Sequence, residues 1–387
     1  VAKMRLIKEL GRGTERRLES EFAYDRYGNE TTNADYGIVE NGDRSAFNDE
    51  RITTTEYAIN TNAWLLRHPA RQEIKGLDGI PVSRVDYFYD DETYSGGNLG
   101  LVTIGNLTLK REWVSPSNSM ATISSARTKY DSFGNPVTLI DPLGAADGGS
   151  VDVSNGHARQ LDYEPRFHTY PITETIHIGG GSEPLVFRAQ YDEGFGAVTA
   201  SIDFNNNQTT YGYDAFSRLS NIVKPCDTPA YPTVEYDYAL AVPFAVTGIV
   251  NYVETRQLDR APGSAGANKR DHYFISRQFV DGLGRQLMTK TEAEPAPGST
   301  TPRVVVNAAV LFSARENPCR HVVRFFSLRA GSDLDSILAF ESIEAPGWSG
   351  QFHENGALVS LDLAHAHQTT TRYDATLREY ESENPDH

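Results

Sequence analysis

The 387-residue chain is poor in the features that mark most catalytic and membrane classes. It has two cysteines, Cys226 and Cys319, too few to frame a disulfide scaffold at this length. A buried thiol at each position is the plainer expectation. No apolar run approaches the about 18 residues of a membrane helix. The longest, 239–250 and 304–312, fall well short, and the first contains a proline. There is no Gly-x-Ser-x-Gly elbow, P-loop or dinucleotide fingerprint. Gly179-Gly180-Gly181 reads as a loop, and Gly194-x-Gly196 lacks a following helix. Basic residues are outnumbered, 36 Lys and Arg against 52 Asp and Glu, for a net charge of −16. That balance argues against binding nucleic acid or an anionic membrane surface. The first residues, Val1-Ala2-Lys3-Met4, lack the apolar stretch of a signal peptide and read as the middle of a longer protein.

Aromatic residues are abundant: 20 Tyr and 17 Phe stand against three Met and three Trp. Flat rings pack well across neighbouring strands. With 39% hydrophobic and 23% charged residues, the composition is that of a folded chain.

A phrase recurs in which an aromatic precedes an aspartate and a turn-forming residue follows. It reads Tyr24-Asp25-Arg26-Tyr27-Gly28-Asn29 and Tyr130-Asp131-Ser132-Phe133-Gly134-Asn135. Tyr191-Asp192 reaches its Gly196 one residue late, and Tyr213-Asp214 has Ser217 in the glycine slot. Phe279-Val280-Asp281-Gly282-Leu283-Gly284 is looser, and Tyr373-Asp374 is degenerate. Tyr89-Asp90 and Tyr236-Asp237 are weaker copies still. Tyr191, Tyr213 and Tyr236 are spaced by 22 and 23 residues, so the unit is short.

Each unit reads as a β-hairpin. Aspartate accepts hydrogen bonds from backbone N–H groups just ahead of it, and glycine supplies a positive φ. The tyrosine is expected to lay its ring on the next hairpin with its hydroxyl at a wet edge. Strands are predicted at 136–140 and 219–223. Segment 57–71 is ambiguous: Ala58, Ala63, Trp64, Leu65 and Leu66 suit a short helix, whereas Thr53-Thr54-Thr55 favours strand. One hairpin alone is marginal, so stacked hairpins would build a strip. The fold expected is all-β: antiparallel hairpin repeats in a curved, spiralling sheet. Residues 1–387 would form one such segment, with loop insertions near 145–188, 261–268 and 294–302.

Some residues invite a chemical reading. Asp90-Asp91-Glu92, and Asp333 with Asp335, are carboxylate pairs of the kind a hydrolase uses. Adjacent acids are expected by chance among 52, and a solvated turn explains them. His365 and His367, with Asp362 nearby, would begin a zinc site, but spacing offers no third ligand. Asp203, Asn205 and Asn207 resemble the start of a calcium loop without its later glycine and glutamate. A hairpin turn accounts for them. No catalytic residue, metal or cofactor is expected.

The recurring phrase resembles the YD-repeat, or Rhs, family, and is most similar to the shell region of the B component of bacterial insecticidal Tc toxin complexes. Three stretches carry the narrower likeness. The first is Tyr87-Phe88-Tyr89-Asp90, continuing through Leu99-Gly100-Leu101-Val102-Thr103 to Gly105-Asn106-Leu107-Thr108. The second runs from Phe279 to Arg285, followed by Lys290, Glu292, Ala293, Glu294 and Pro295. The third runs from Arg372 to Glu379 and into Asn384-Pro385-Asp386. Region 145–188 matches least. The resemblance implies hairpin strips spiralling into a hollow cocoon that encloses and protects a toxic polypeptide before delivery. It implies as partners the remainder of the same toxin polypeptide and a C-component-like shell with its enclosed toxin, in a secreted or extracellular setting. It implies no enzyme activity. The family's self-cleaving partner uses paired Asp-Pro-x-Gly motifs; here Asp141-Pro142-Leu143-Gly144 occurs once and reads as a turn. Two other functions compete: a cell-surface adhesion or glycan-binding module, whose aromatics would stack on sugars, and a carboxylate-dependent hydrolase.

Overall fold

The structure, a computed structural model, describes residues 2–9, 16–45, 47–113, 122–144, 153, 156–244, 248–259, 269–295, 298–329, 331, 333–354 and 357–384. The loop expected at 261–268 lies outside these residues. The chain divides into two units, Val1–Asn207 and Gln208–His387. Both are built almost wholly of antiparallel strands.

The first unit is a meander. Its strands are β1 (Ala2–Glu9), β2 (Arg16–Tyr24), β3 (Glu30–Glu40), β4 (Arg51–Asn60), β5 (Leu65–Lys75), β6 (Pro81–Tyr89), β7 (Leu107–Trp113), β8 (Thr122–Tyr130), β9 (Pro136–Ile140), β10 (Ala158–Tyr163), β11 (Pro171–His177), β12 (Leu185–Asp192) and β13 (Ala197–Ile202). Each pairs antiparallel with the next. The strand predicted at 136–140 is β9. The ambiguous segment 57–71 is strand, turn and strand: Tyr57 pairs with Pro69 and Glu56 with Arg71 across β4 and β5. Pairing of β4 with β3 on its other side favours strand over the weak helical pattern. The buried apolar clusters here are small. One joins Ala58, Ala70, Tyr89 and Val102, another Ala34, Tyr36 and Val39. Most strand residues are half-buried.

The second unit has two sheets. The larger runs β14 (Gln208–Tyr213), β15 (Leu219–Val223), β16 (Val234–Phe244), β17 (Gly248–Leu258), β18 (Tyr273–Val280), β19 (Gln286–Ala293) and β20 (Arg303–Asn307) in sequence order. The strand predicted at 219–223 is β15. The chain leaves this sheet to form β21 (Ala309–Phe312) and β22 (Pro318–Val322), and returns as β23 (Phe325–Ser327) beside β20. One helical turn, α1 (Leu334–Leu338), precedes β24 (Ser349–Glu354) and β25 (Ala357–Asp362), which continue the larger sheet from β23. Strands β26 (Gln368–Tyr373) and β27 (Glu379–Glu383) complete the smaller sheet through β22. The core lies between the sheets: Val250, Phe279, Met288, Val306, Phe325 and Phe352 of the larger sheet meet Leu311 and Val322 of the smaller. Ile337 and Leu338 of α1 cover Tyr273, Ile275 and Val304.

Candidate functional site: the aspartate turns and their tyrosines

The recurrent aspartates share one geometry. In Asp25, Asp131, Asp203, Asp214, Asp281 and Asp374, Oδ1 accepts the N–H groups two and four residues on, at 2.8–3.0 Å. Oδ2 accepts from the side chain four residues on. That donor is Asn29, Asn135 or Asn207 through Nδ2, and Arg218, Arg285 or Arg378 through Nε, at 2.6–3.1 Å. The aspartate N–H closes the loop on the carbonyl of that same residue at 2.9–3.0 Å. Each carboxyl therefore sits below its ordinary pKa. For Asp25, Asp131, Asp214 and Asp281 desolvation is the largest single influence and pushes upward, but the summed hydrogen bonds outweigh it. For Asp203 the Asn207 amide leads, and for Asp374 the Arg378 N–H leads.

The residue three places after the aspartate takes a positive φ: +83° at Gly28, +86° at Gly134, +80° at Gly284, and +62°, +59° and +64° at Asn206, Ser217 and Leu377. Register shifts fall at Tyr24, Tyr130, Tyr213, Val280 and Tyr373, the residue before the aspartate, so each turn carries a β-bulge. Asp192 makes a wider turn, accepting from Gly194 and Phe195 N–H at 2.9 and 3.1 Å. Gly196 there has φ +69° and lies against the Tyr170 ring. Phe279 stands two residues before Asp281 and points into the core at 1% exposure.

Within the recurring phrase the hydroxyls of Tyr89, Tyr130 and Tyr373 do not face a wet edge but join neighbouring strands, and other strand tyrosines do the same. Tyr57 donates to the Glu30 carbonyl, Tyr130 to Leu107, Tyr163 to Pro136, Tyr238 to Leu219 and Tyr373 to Pro318, at 2.9–3.2 Å. Every one of these acceptors is the first residue of the adjacent strand, where the chain leaves its turn. Tyr89 donates to Pro69 at 3.0 Å. Tyr191 stacks on Tyr170 with centroids 5.1 Å apart. Burial raises the pKa of Tyr130, Tyr163, Tyr191, Tyr213 and Tyr238, and pushes Tyr89 and Tyr273 up to about 12. In the first unit the turns also bond to one another along one end of the meander. Asn29 Nδ2 donates to Leu66 O and Asn135 Nδ2 to His168 O, both at 2.6 Å, and Asn60 Nδ2 to Val102 O at 2.9 Å.

Two turns of this kind carry no aspartate and escape a motif reading. Glu164 after Tyr163 accepts N–H groups of Arg166, Phe167 and Thr169, and Ser313 Oγ accepts those of Arg315 and Asn317. The tyrosine before Glu164, and the positive φ of 68° at Glu316, are the signals that place them in the series.

The carboxylate pairs are engaged with their own loops. Asp90 accepts the N–H groups of Thr103, Ile104, Gly105 and Asn106. Asp91 accepts from Thr93 and Gly96. Burial pushes both carboxyls up, and these bonds more than reverse it, holding both below the usual range. Neither is poised to carry a proton at neutral pH. Asp333 caps α1 through Ser336 N–H at 2.9 Å, and Asp335 pairs with Arg270 and Arg277. Asp141 accepts from Leu143 and Gly144 N–H at 2.9 and 3.1 Å, a turn. His365 bonds Asp362 at 2.7 Å, while His367 packs on Phe352 at 5.7 Å. Among the described residues no three His, Cys, Asp or Glu gather as metal ligands, and no helix is long and apolar enough to cross a membrane.

No family model and no curated protein matches the sequence. Solved structures do match in fold. A Tc holotoxin pore from Photorhabdus luminescens superposes with a TM-score of 0.62 at 13% identity, over 96% of this chain and 24% of that one. Two TcdB2-TccC3 crystal structures give TM-scores of 0.61 and 0.60 at 12% and 13% identity, covering 95% and 96% of this chain. The chain spans about a quarter of the length of those chains, 22–24%. Its fold is that of a stretch of the Tc toxin TcdB2-TccC3 chains, antiparallel and all-β.

Proposed function

We propose that this chain is a YD-repeat segment of a toxin-complex protein, a length of the wall of a cocoon that encloses and protects a toxic polypeptide before delivery. The observation that carries it is the fold likeness to Tc toxin chains over 95% of this chain. The latched aspartate hairpins support the reading, because they give a repeated way to add strands without a thick core. On this reading residues 1–387 form one run of repeats, and the protein is a secreted, non-enzymatic toxin component. Its partners are the rest of its own polypeptide and a C-component-like shell. The experiment is cryo-electron microscopy of the full-length protein with its partner chain, combined with limited proteolysis. The expected result is a hollow shell with polypeptide density inside and a fragment that resists protease until the shell is unfolded. A solid sandwich without an enclosed chain overturns the proposal.

Exposed aromatics favour one second reading, a glycan-binding module. Trp64 is 75% exposed at a turn tip, and Phe133 and Phe216 are 63% and 80% exposed. A glycan array in which Trp64→Ala abolishes a positive signal supports it; an array without hits removes it.

A further inference from the structure

Turn tips are ordinarily polar, because their residues face water and serve the backbone. In the first unit they are not. Successive turns of an antiparallel meander alternate between its two ends, so the connections after β4, β6, β8, β10 and β12 share one end. Each of them carries large apolar side chains that are 51–75% exposed: Trp64, then Leu101 with Ile104, then Phe133, Phe167 and Phe195.

The turns do not require these side chains. Phe133, Phe167 and Phe195 each donate the main-chain N–H to the carboxylate of their own turn, Asp131, Glu164 and Asp192, at 2.8–3.1 Å. Any residue with an N–H makes that bond, and the ring adds nothing to it. Trp64 holds φ +56°, where glycine or asparagine fits better. The tips also stand on a fixed frame. Asn60 bonds Val102 O, Asn135 bonds His168 O, Phe133 stacks on His168 with centroids 3.9 Å apart, and Arg166 pairs with Glu193 at 3.1 Å. A row of exposed apolar groups held in place from turn to turn is a contact surface.

The opposite end of the meander points to what covers it. Its turns are apolar as well: Ile80, Leu143 and Ile178 are 51–79% exposed. Another length of the same kind of meander would bring an apolar rim of its own to the first. The Tc toxin chains leave room for such lengths, since this chain spans only 22–24% of them.

We propose that the rim from Trp64 to Phe195 is a seam, packed in the full-length protein against the opposite rim of another length of its own polypeptide. The inference rests on the shell reading and adds which side chains close the wall. The glycan reading needs the same rings free, so the two part company in the full-length protein.

Hydroxyl-radical footprinting of the unaltered full-length protein, read by mass spectrometry, tests it. The same protein digested to peptides is the reference for free side chains. In protein that is monomeric by size-exclusion chromatography, Trp64, Phe133, Phe167 and Phe195 are expected to lose oxidation relative to the peptides. Phe133→Asp should restore oxidation at Phe167, its neighbour on the rim, and Phe133→Leu should not. If Phe133→Asp fails to fold, the footprint of the unaltered protein decides. Oxidation of the four residues at the level that 51–75% exposure allows overturns the seam. Where cryo-electron microscopy of the same sample shows a hollow shell, the shell reading survives that failure. A protected rim on a solid particle supports the seam and overturns the shell reading alone. Protection that appears only in a dimer, or only when a partner chain is added, assigns the rim to another molecule and overturns the proposal.

Discussion

The Tyr130 hydroxyl on β8 donates to the Leu107 carbonyl at the start of β7, at 3.0 Å. It ties the outgoing strand of one hairpin to the first residue after the preceding turn, across 23 residues of sequence. Removing the hydroxyl keeps the ring and leaves the carbonyl without this donor. Tyr130→Phe is therefore expected to cost about 1 kcal/mol. Denaturant unfolding should show a lower midpoint at an unchanged slope, while Tyr27→Phe, whose ring sits at a turn tip, should be near neutral.

The same bonds predict alkaline sensitivity. A tyrosine that donates its proton to a carbonyl loses that bond on ionising. Burial raises Tyr89 and Tyr273, whose hydroxyls donate to the Pro69 and Pro232 carbonyls at 3.0 and 2.9 Å, from an ordinary 10.0 to about 12. Between those values the folded state holds protons that the unfolded chain has released. The stabilisation is thus fully present below pH 10.0 and is lost as pH rises through about 12. Urea midpoints should fall over that interval. The paired variant Tyr89→Phe with Tyr273→Phe should be less stable at pH 8 and flatter above 10. Near-ultraviolet tyrosinate absorbance should show these two groups titrating after the bulk.

Gly134 tests the turn itself. Its φ is +86°, and an added Cβ would find only Asn106 Oδ1, at 3.9 Å. Space is available, so the penalty is one of backbone conformation. Gly134→Val should destabilise by about 1 kcal/mol or more, since a branched side chain resists the left-handed region. Gly134→Asn should cost less, because Asn206 holds φ +62° at the equivalent place after Asp203. Thermal unfolding of the two variants side by side checks the ranking.

What was legible in the sequence was local. An aspartate, a glycine or serine three places on and an asparagine or arginine four places on form a five-residue circuit, and strands β9 and β15 follow such circuits at the predicted residues. Segment 57–71 was not decidable locally, because Ala58 and Leu65 fit either pattern until β3 and β5 supply hydrogen-bond partners. The partner of the Tyr130 hydroxyl is not legible locally, because its acceptor, Leu107 O, lies on another strand. The smaller sheet of the second unit was invisible for the same reason: β22 meets β26 through His321 and Thr369, far apart in the chain.

Lys290 carries the last prediction. Its side chain is 0% exposed, and Nζ donates to Ile337 O at 3.1 Å, Ala339 O at 2.9 Å and Glu341 at 3.1 Å. It closes the C-terminal end of α1 and neutralises a carboxylate that is itself only 10% exposed. Lys290→Met strands that carboxylate and the two carbonyls, and should cost about 3–5 kcal/mol. Adding Glu341→Gln to the same chain should recover part of the loss, since the buried charge is then gone. The pH dependence has the opposite sense to that of the tyrosines. Burial pulls the lysine down from 10.5 to about 8, against the attraction of Glu341. From pH 8 to 10.5 the unfolded chain holds a proton that the folded one has released. Stability from this group is thus complete above 10.5 and is lost as pH falls through about 8. The unaltered chain should gain up to about 1 kcal/mol per pH unit relative to Lys290→Met as pH rises from 8. The comparison is read below pH 10, before the tyrosines titrate. Urea unfolding followed by Trp348 fluorescence in this unit measures the difference; parallel profiles for the two proteins would show that Lys290 does not titrate there.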